Sequence, residues 1–233
     1  MKKWFSRGAY DGIPIALGYL SVSFGFGIKA VQSGLSPLAA SVISAVNLTS
    51  AGQAAGVDII AAGGTLIEMI LVQLVINLRY SLMAISLSQN LDGSFTAPHR
   101  FAAAYGITDE IFAVCSTRSE PVRPAYMYGM ISAAFAGWVT GTALGAAAGQ
   151  LLPADIRNAM GIMLYGMFIA IIVPPAKKQL SVFLVVLAAA GISLLFRYVI
   201  TAVSGGFAII ISAVAAAALG ALFFPVREEA DTA

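Results

Sequence analysis

Eight apolar runs, each bounded by proline, glycine or charge, occupy most of the chain: about 12–32, 37–57, 65–89, 101–117, 126–150, 156–174, 180–200 and 205–224. A helix that crosses a bilayer needs about 20 mostly apolar residues, so runs of this length and number are solvated by lipid. Composition agrees: 59% of residues are apolar and 10% charged, against about 25% charged in a soluble domain. Too little polar surface remains to cover an exterior facing water. The expected fold is an all-α, polytopic membrane protein of about eight transmembrane helices, one integral membrane domain over residues 1–233 with no separate soluble domain. The fourth run is the exception, because Asp109 and Glu110 stand side by side in it. It reads as either a full crossing or a broken or re-entrant segment lining a cavity.

A net charge of +2 is too small for a nucleic-acid surface, and the placement of the positive charges carries the information. With eight crossings and a cytoplasmic N-terminus, Lys2, Lys3, Arg7, Arg118, Arg123, Lys177, Lys178 and Arg227 fall inside, and Arg100 and Arg157 outside. If the fourth run does not cross, Arg118, Arg123, Lys177 and Lys178 move outside. The expected arrangement therefore has eight crossings and both termini in the cytoplasm. Lys2, Lys3 and Arg7 before an apolar run resemble a signal peptide, but Asp11 and Pro14 interrupt its start and no small-residue cleavage site ends it. It reads as a retained first helix.

Two halves, about 12–90 and 126–200, share a weak internal likeness. Gly18-Tyr19 matches Gly137-Trp138, and Arg79-Tyr80 matches Arg197-Tyr198. Transporters are often built from such repeats, with substrate bound where the halves meet.

Several residues invite a chemical reading. Gly137, Gly141, Gly145 and Gly149 recur every four positions in the fifth run and share one helix face, where another backbone can approach closely. That face serves packing within the chain, a seam between copies, or a sliding surface. The stretch from Asn47 through Thr49, Ser50 and Gln53 to Gly56 replaces branched apolar residues with small and polar ones. A polar, glycine-rich patch at depth points to a local helix break facing a cavity, or to small-residue packing with Asn47 and Gln53 bonded across helices. Freed amides would bind a carboxylate and freed carbonyls a cation.

In the third run Gln73, Asn77 and Tyr80 share a face, and Arg79 lies well inside the span. An arginine near a helix centre costs about 2.5–3.5 kcal/mol on insertion scales, so it should face a partner inside the protein. Asp109 and Glu110 are the candidates, as a structural ion pair or as part of substrate binding and proton coupling. If the fourth run is shorter, they sit in a solvated turn. Glu68 and Lys29 stand near run ends and are expected at the interfaces, and Arg197 is expected to snorkel outward.

Enzyme chemistry finds little to use. His99 is the only histidine and lies in a loop, Cys115 is the only cysteine and reads as a buried small hydrophobe, and Gly25-Phe26-Gly27 lies inside an apolar span. Neither a metal site nor a cofactor is expected.

Gly12-Ile13-Pro14, Phe24 to Gly27, Ser50 to Gln53, Asn77-Leu78-Arg79-Tyr80 and Thr108-Asp109-Glu110 together resemble the AzlC/YgaZ/BrnF family, the large subunits of bacterial branched-chain amino acid exporters. The resemblance covers nearly the whole chain, with its most specific pieces in the first 120 residues. It implies proton-driven export of leucine, isoleucine, valine or methionine across the cytoplasmic (inner) membrane, and a small hydrophobic AzlD-like membrane subunit as partner. Carried over, Ser50, Gln53, Asn77, Arg79, Asp109 and Glu110 become the residues to test. The residues themselves support a substrate site made of Asn47, Ser50, Gln53, Asn77, Arg79 and Tyr80, with Asp109 or Glu110 coupling to protons. At this level a channel for a small polar solute, and a non-transporting assembly subunit docking through the glycine face, stay open as alternatives.

Overall fold

The computed structural model describes residues 1–149 and 151–225, and those residues form eleven α-helices and no strand. They are α1 (Lys2–Asp11), α2 (Ile13–Gln32), α3 (Pro37–Val46), α4 (Ser50–Ala61), α5 (Leu66–Ser88), α6 (Ala97–Ala104), α7 (Asp109–Ser116), α8 (Pro124–Ala148), α9 (Ala154–Lys178), α10 (Leu180–Tyr198) and α11 (Gly205–Phe223). Five of them, α2, α5, α8, α10 and α11, are long and apolar enough to cross a bilayer. The chain is an all-α polytopic membrane protein. Gln150, at the end of the fifth run, and Arg227 lie outside the described residues.

The core is the pairing of α2 with α8. Ala16 meets Gly137, Leu20 meets Gly141, Phe24 meets Gly145 and Ile28 meets Gly149. Both residue numbers rise together, so the two helices run parallel. A methyl group on Gly137, Gly141 or Gly145 would collide with the backbone of α2, and one on Gly149 would touch the Ile28 Cα at 3.4 Å. The glycine face is thus filled within the chain. Tyr19 and Trp138, the aromatic pair of the internal likeness, meet edge-on across this seam at 5.2 Å. Arg79-Tyr80 lies within α5, whereas Arg197-Tyr198 ends α10.

We call the end of the molecule that carries α1 basal and the opposite end distal. From the distal end α3 descends along α8: Ala40 clusters with Ala146, and the Ser44 hydroxyl bonds that of Thr142 at 2.7 Å. After the break α4 climbs back. Trp138 donates to Gln53 at 2.9 Å, while Val57 rejoins the cluster of Ala40 and Ala146. Asp58 then reaches Lys29, in the last turns of α2, at 2.9 Å. The second run is therefore a re-entrant hairpin.

The fourth run repeats the device from the basal end. His99 bonds the Tyr128 hydroxyl at 2.8 Å, and six residues later Tyr105 lies against Phe135, so α6 climbs along α8. On the way back Glu110 meets Tyr19, and Arg118 lies over the Tyr126 ring at 4.1 Å. Paired backbone bonds, Asp92 N–H to Val122 O and Val122 N–H to Asn90 O, both 2.9 Å, close the base of this hairpin.

Eight segments are thus present where the apolar runs predict them, but two turn back instead of crossing. Each break leaves helical pieces of 8 to 12 residues, and at 1.5 Å per residue none reaches across a hydrocarbon core of about 30 Å. With two hairpins the sidedness closes again. Helix α5 runs from distal to basal. Helix α11 starts beside Glu68 at the distal end, and its Gly220 packs on Val185 of an antiparallel α10. Helix α9 therefore descends, α10 rises and α11 descends.

Lys2, Lys3, Arg7, Arg100, Arg118, Arg123, Lys177 and Lys178 gather at the basal end, leaving Lys29, Arg157 and Arg197 at the distal one. This corrects the expectation for Arg100, which joins the other basic residues, and removes the objection that a non-crossing fourth run would scatter them. Helix α1, which the apolar pattern does not announce, is a short amphipathic helix whose Gly8 packs on Tyr126.

Candidate functional site

The two hairpins meet tip to tip. Asn47 and Thr49 are extended, with φ of −142° and −136°, and the Tyr105 hydroxyl of the opposite tip donates to the Ala45 carbonyl at 2.5 Å. A threonine caps each returning helix: the Thr49 hydroxyl accepts from Gly52 N–H, and the Thr108 hydroxyl accepts from Ile111 N–H, both at 3.4 Å. The same local chemistry thus starts α4 and α7 at the two breaks. It also aims two helix N-termini, each with first-turn amides lacking intrahelical acceptors, at one place.

That place is a cavity of about 20 Å³, lined on one wall by Leu48 and Ser50 of the first tip and on another by Thr108, Asp109 and Glu110 of the second. Tyr19, Tyr80 and Trp138 complete it. Room of this size holds about one water. A second, more open cavity of about 190 Å³ lies on the other side of Tyr80, where Asn47, Thr49, Asn77 and Tyr105 form its rim.

The residues expected at a substrate site divide into three groups. Ser50 and Tyr80 line the closed cavity, and Asn47 lines the open one. Asn77 touches the open cavity but is engaged: its carbonyl accepts from Thr49 at 2.9 Å and its amide donates to Gln73 at 3.0 Å. Gln73 in turn holds the Gly52 carbonyl at 2.8 Å, so the polar face of α5 braces the first tip. Gln53 does not reach the cavity. It is 1% exposed, donates to Ser44 at 3.1 Å and accepts from Trp138, tying α3, α4 and α8 together.

Arg79 lies one layer behind the cavity, 2.7 Å from Asp109 and 3.1 Å from the Tyr80 hydroxyl, its guanidinium over the Tyr80 ring at 4.8 Å. It is thus engaged by Asp109 and Tyr80 and does not line the cavity. Glu110 is held by the Tyr19 hydroxyl. The two carboxylates thus sit in the first turn of α7, where the helix dipole favours negative charge.

Two other charged residues near helix ends are engaged by partners within the chain. Glu68, in the first turn of α5, is 4% exposed, and its carboxylate accepts from the Ser204 hydroxyl at 2.6 Å and Gly206 N–H at 2.8 Å. A carboxylate capping another helix is satisfied when buried. Lys29, in the last turn of α2, bonds Asp58 and the Tyr165 hydroxyl, the latter at 2.8 Å. Sequence reasoning placed Thr49 and Thr108 in the two polar stretches but not as helix caps, and it missed Tyr105 as a tip residue and Tyr19 and Trp138 as cavity walls. The threonines had a readable signal, because each directly precedes a helical stretch as an N-cap does. Cys115 is buried, and no group of three or more metal-binding side chains occurs among the described residues.

Comparison with known proteins gives a consistent result. The family model described as AzlC protein matches residues 14–152, a stretch that contains α2, both hairpins, α5 and α8. An uncharacterized membrane protein of Archaeoglobus fulgidus is 30% identical over 177 residues, 75% of this chain and 77% of its own length. The inner membrane protein YgaZ of Escherichia coli K12 is 28% identical over 185 residues, 76% of this chain and 75% of its own. No solved structure matches.

Proposed function

The chain belongs to the AzlC family, and we propose that it is a secondary transporter exporting leucine, isoleucine, valine and methionine from the cytoplasm, driven by protons and working with a small hydrophobic AzlD-like subunit. The observation that carries this reading is the meeting of two opposed re-entrant hairpins at a closed cavity. Non-helical backbone at membrane depth is tolerated where it lines a cavity, and carriers bind solutes at such breaks.

The chemistry of the cavity suits a zwitterion. The N-termini of α4 and α7 offer amides and positive dipole ends to a carboxylate. Asp109 and Glu110 offer negative charge to an ammonium group, and Leu48 and Trp138 offer apolar surface to a branched side chain. Export coupled to protons then follows if Glu110 or Asp109 binds a proton when substrate leaves. The basic basal end faces the cytoplasm by the positive-inside rule, and the name of the Escherichia coli relative supports an inner-membrane location.

Counterflow in proteoliposomes tests the reading. Labelled leucine, isoleucine, valine and methionine should exchange saturably, with and without the neighbouring small subunit, faster at one of two pH values. Exchange should be lost in Glu110→Gln. Absence of exchange by folded protein under every condition contradicts it, and single-channel currents would replace the carrier with a channel.

A further inference from the structure

A roomy cavity lies far from the hairpin tips, at the basal end, between α1 and the first turn of α8. It measures about 590 Å³, and its wall is largely apolar, from Trp4, Phe5, Pro124 and Ala125. Its polar groups are mostly cationic or neutral. Lys2 and Arg123 reach it, and Trp4 is flanked by two guanidinium groups, Arg123 at 4.8 Å and Arg7 at 5.9 Å.

The negative charge nearby is Asp92, 3.8 Å from Arg123. The Ser94 hydroxyl and amide hold its carboxyl below the ordinary aspartate range, so it stays ionised at neutral pH and balances part of Arg123. Lys2 has no acidic partner among the described residues. Positive charge therefore exceeds negative at the mouth of an apolar pocket.

Position narrows the occupant. Helix α1 is amphipathic, continues into the first crossing helix, and carries a tryptophan among basic residues, the composition found at headgroup depth. The same end gathers most of the basic residues of the chain. An apolar pocket at that depth with a cationic rim matches a molecule with a phosphate head and hydrocarbon tails.

We propose that this pocket binds an anionic phospholipid of the basal leaflet, with Lys2 and Arg123 taking its phosphate and Trp4, Phe5, Pro124 and Ala125 its glycerol and first acyl carbons. The bound lipid fixes α1 against α8 and so braces the helix that leads into α2.

Native mass spectrometry of delipidated protein tests this, with dioleoyl phosphatidylglycerol, dioleoyl phosphatidylcholine and inorganic phosphate as separate probes. Phosphatidylglycerol should bind about tenfold tighter than phosphatidylcholine. Lys2→Gln and Arg123→Gln should each weaken it about fivefold, while Lys178→Gln, at the same end but outside the pocket, leaves it unchanged. Should Arg123→Gln fail to fold, the exposed Lys2→Gln variant still decides. Equal binding of the two lipids overturns the proposal, as does equal loss in Lys178→Gln, which would mean diffuse surface charge. Displacement of phosphatidylglycerol by inorganic phosphate at similar affinity overturns the lipid assignment in favour of a soluble phosphate compound.

Discussion

Arg79 of α5 and Asp109 of α7 form an ion pair. A guanidinium at this depth is tolerated because a carboxylate faces it at 2.7 Å. Asp109→Asn should therefore destabilise the protein by about 1 kcal/mol, and the double variant with Arg79→Gln by less than the sum of the two single changes. Denaturant unfolding in micelles measures both, and strict additivity would show that the pair is not coupled. Glycines offer a second contrast at this scale. A side chain at Gly141 meets the Leu20 carbonyl and the Ser23 hydroxyl, whereas nothing lies within 4 Å of one at Gly18. Gly141→Val should cost about 3 kcal/mol or more by forcing α2 from α8, while Gly18→Ala should leave the melting temperature unchanged or raise it. Equal effects of the two changes would contradict the packing described.

The two hairpins are not equivalent elements. Gly34 and Gly63, with φ of +91° and +67°, flank the α3–α4 hairpin and are the only residues with positive φ among those described. Glycine adopts such angles at no steric cost and gives the feet of this hairpin freedom to swing. The α6–α7 hairpin has its feet tied by the Leu91–Val122 pairing. Movement that opens the cavity should therefore fall to α3–α4, which the Lys29–Asp58 pair ties to α2 at the distal end. Asp58→Asn should speed hydrogen exchange in α3 and α4 at least several-fold and leave α6 and α7 unchanged. The breaks themselves were legible in the sequence: the Asn47 to Gly56 stretch and the Asp109-Glu110 pair mark segments that no lipid-facing helix would carry. The return of each hairpin was not. Reversal is fixed by contacts such as Ser44 with Thr142 and Glu110 with Tyr19, which join residues about ninety or more positions apart. What could have hinted at it is length, since Pro37 to Asn47 is half a crossing.

At the scale of the whole molecule, the five apolar spans, the 25-residue α9 and two hairpins from opposite ends bring both described chain ends to the basal side, together with most of the basic residues. In a Cys115→Ser background, Lys178→Cys should react with an impermeant thiol reagent only from the cytoplasmic side and Ser204→Cys only from the opposite side. Labelling of both from one side would break the proposed sidedness. The proposed export requires the two tips to separate. Joining Ala45→Cys to Tyr105→Cys with a short, reducible bis-thiol reagent in the same background should abolish leucine counterflow in proteoliposomes, and reduction should restore it. Undiminished counterflow by fully crosslinked protein would contradict a substrate path between the hairpin tips.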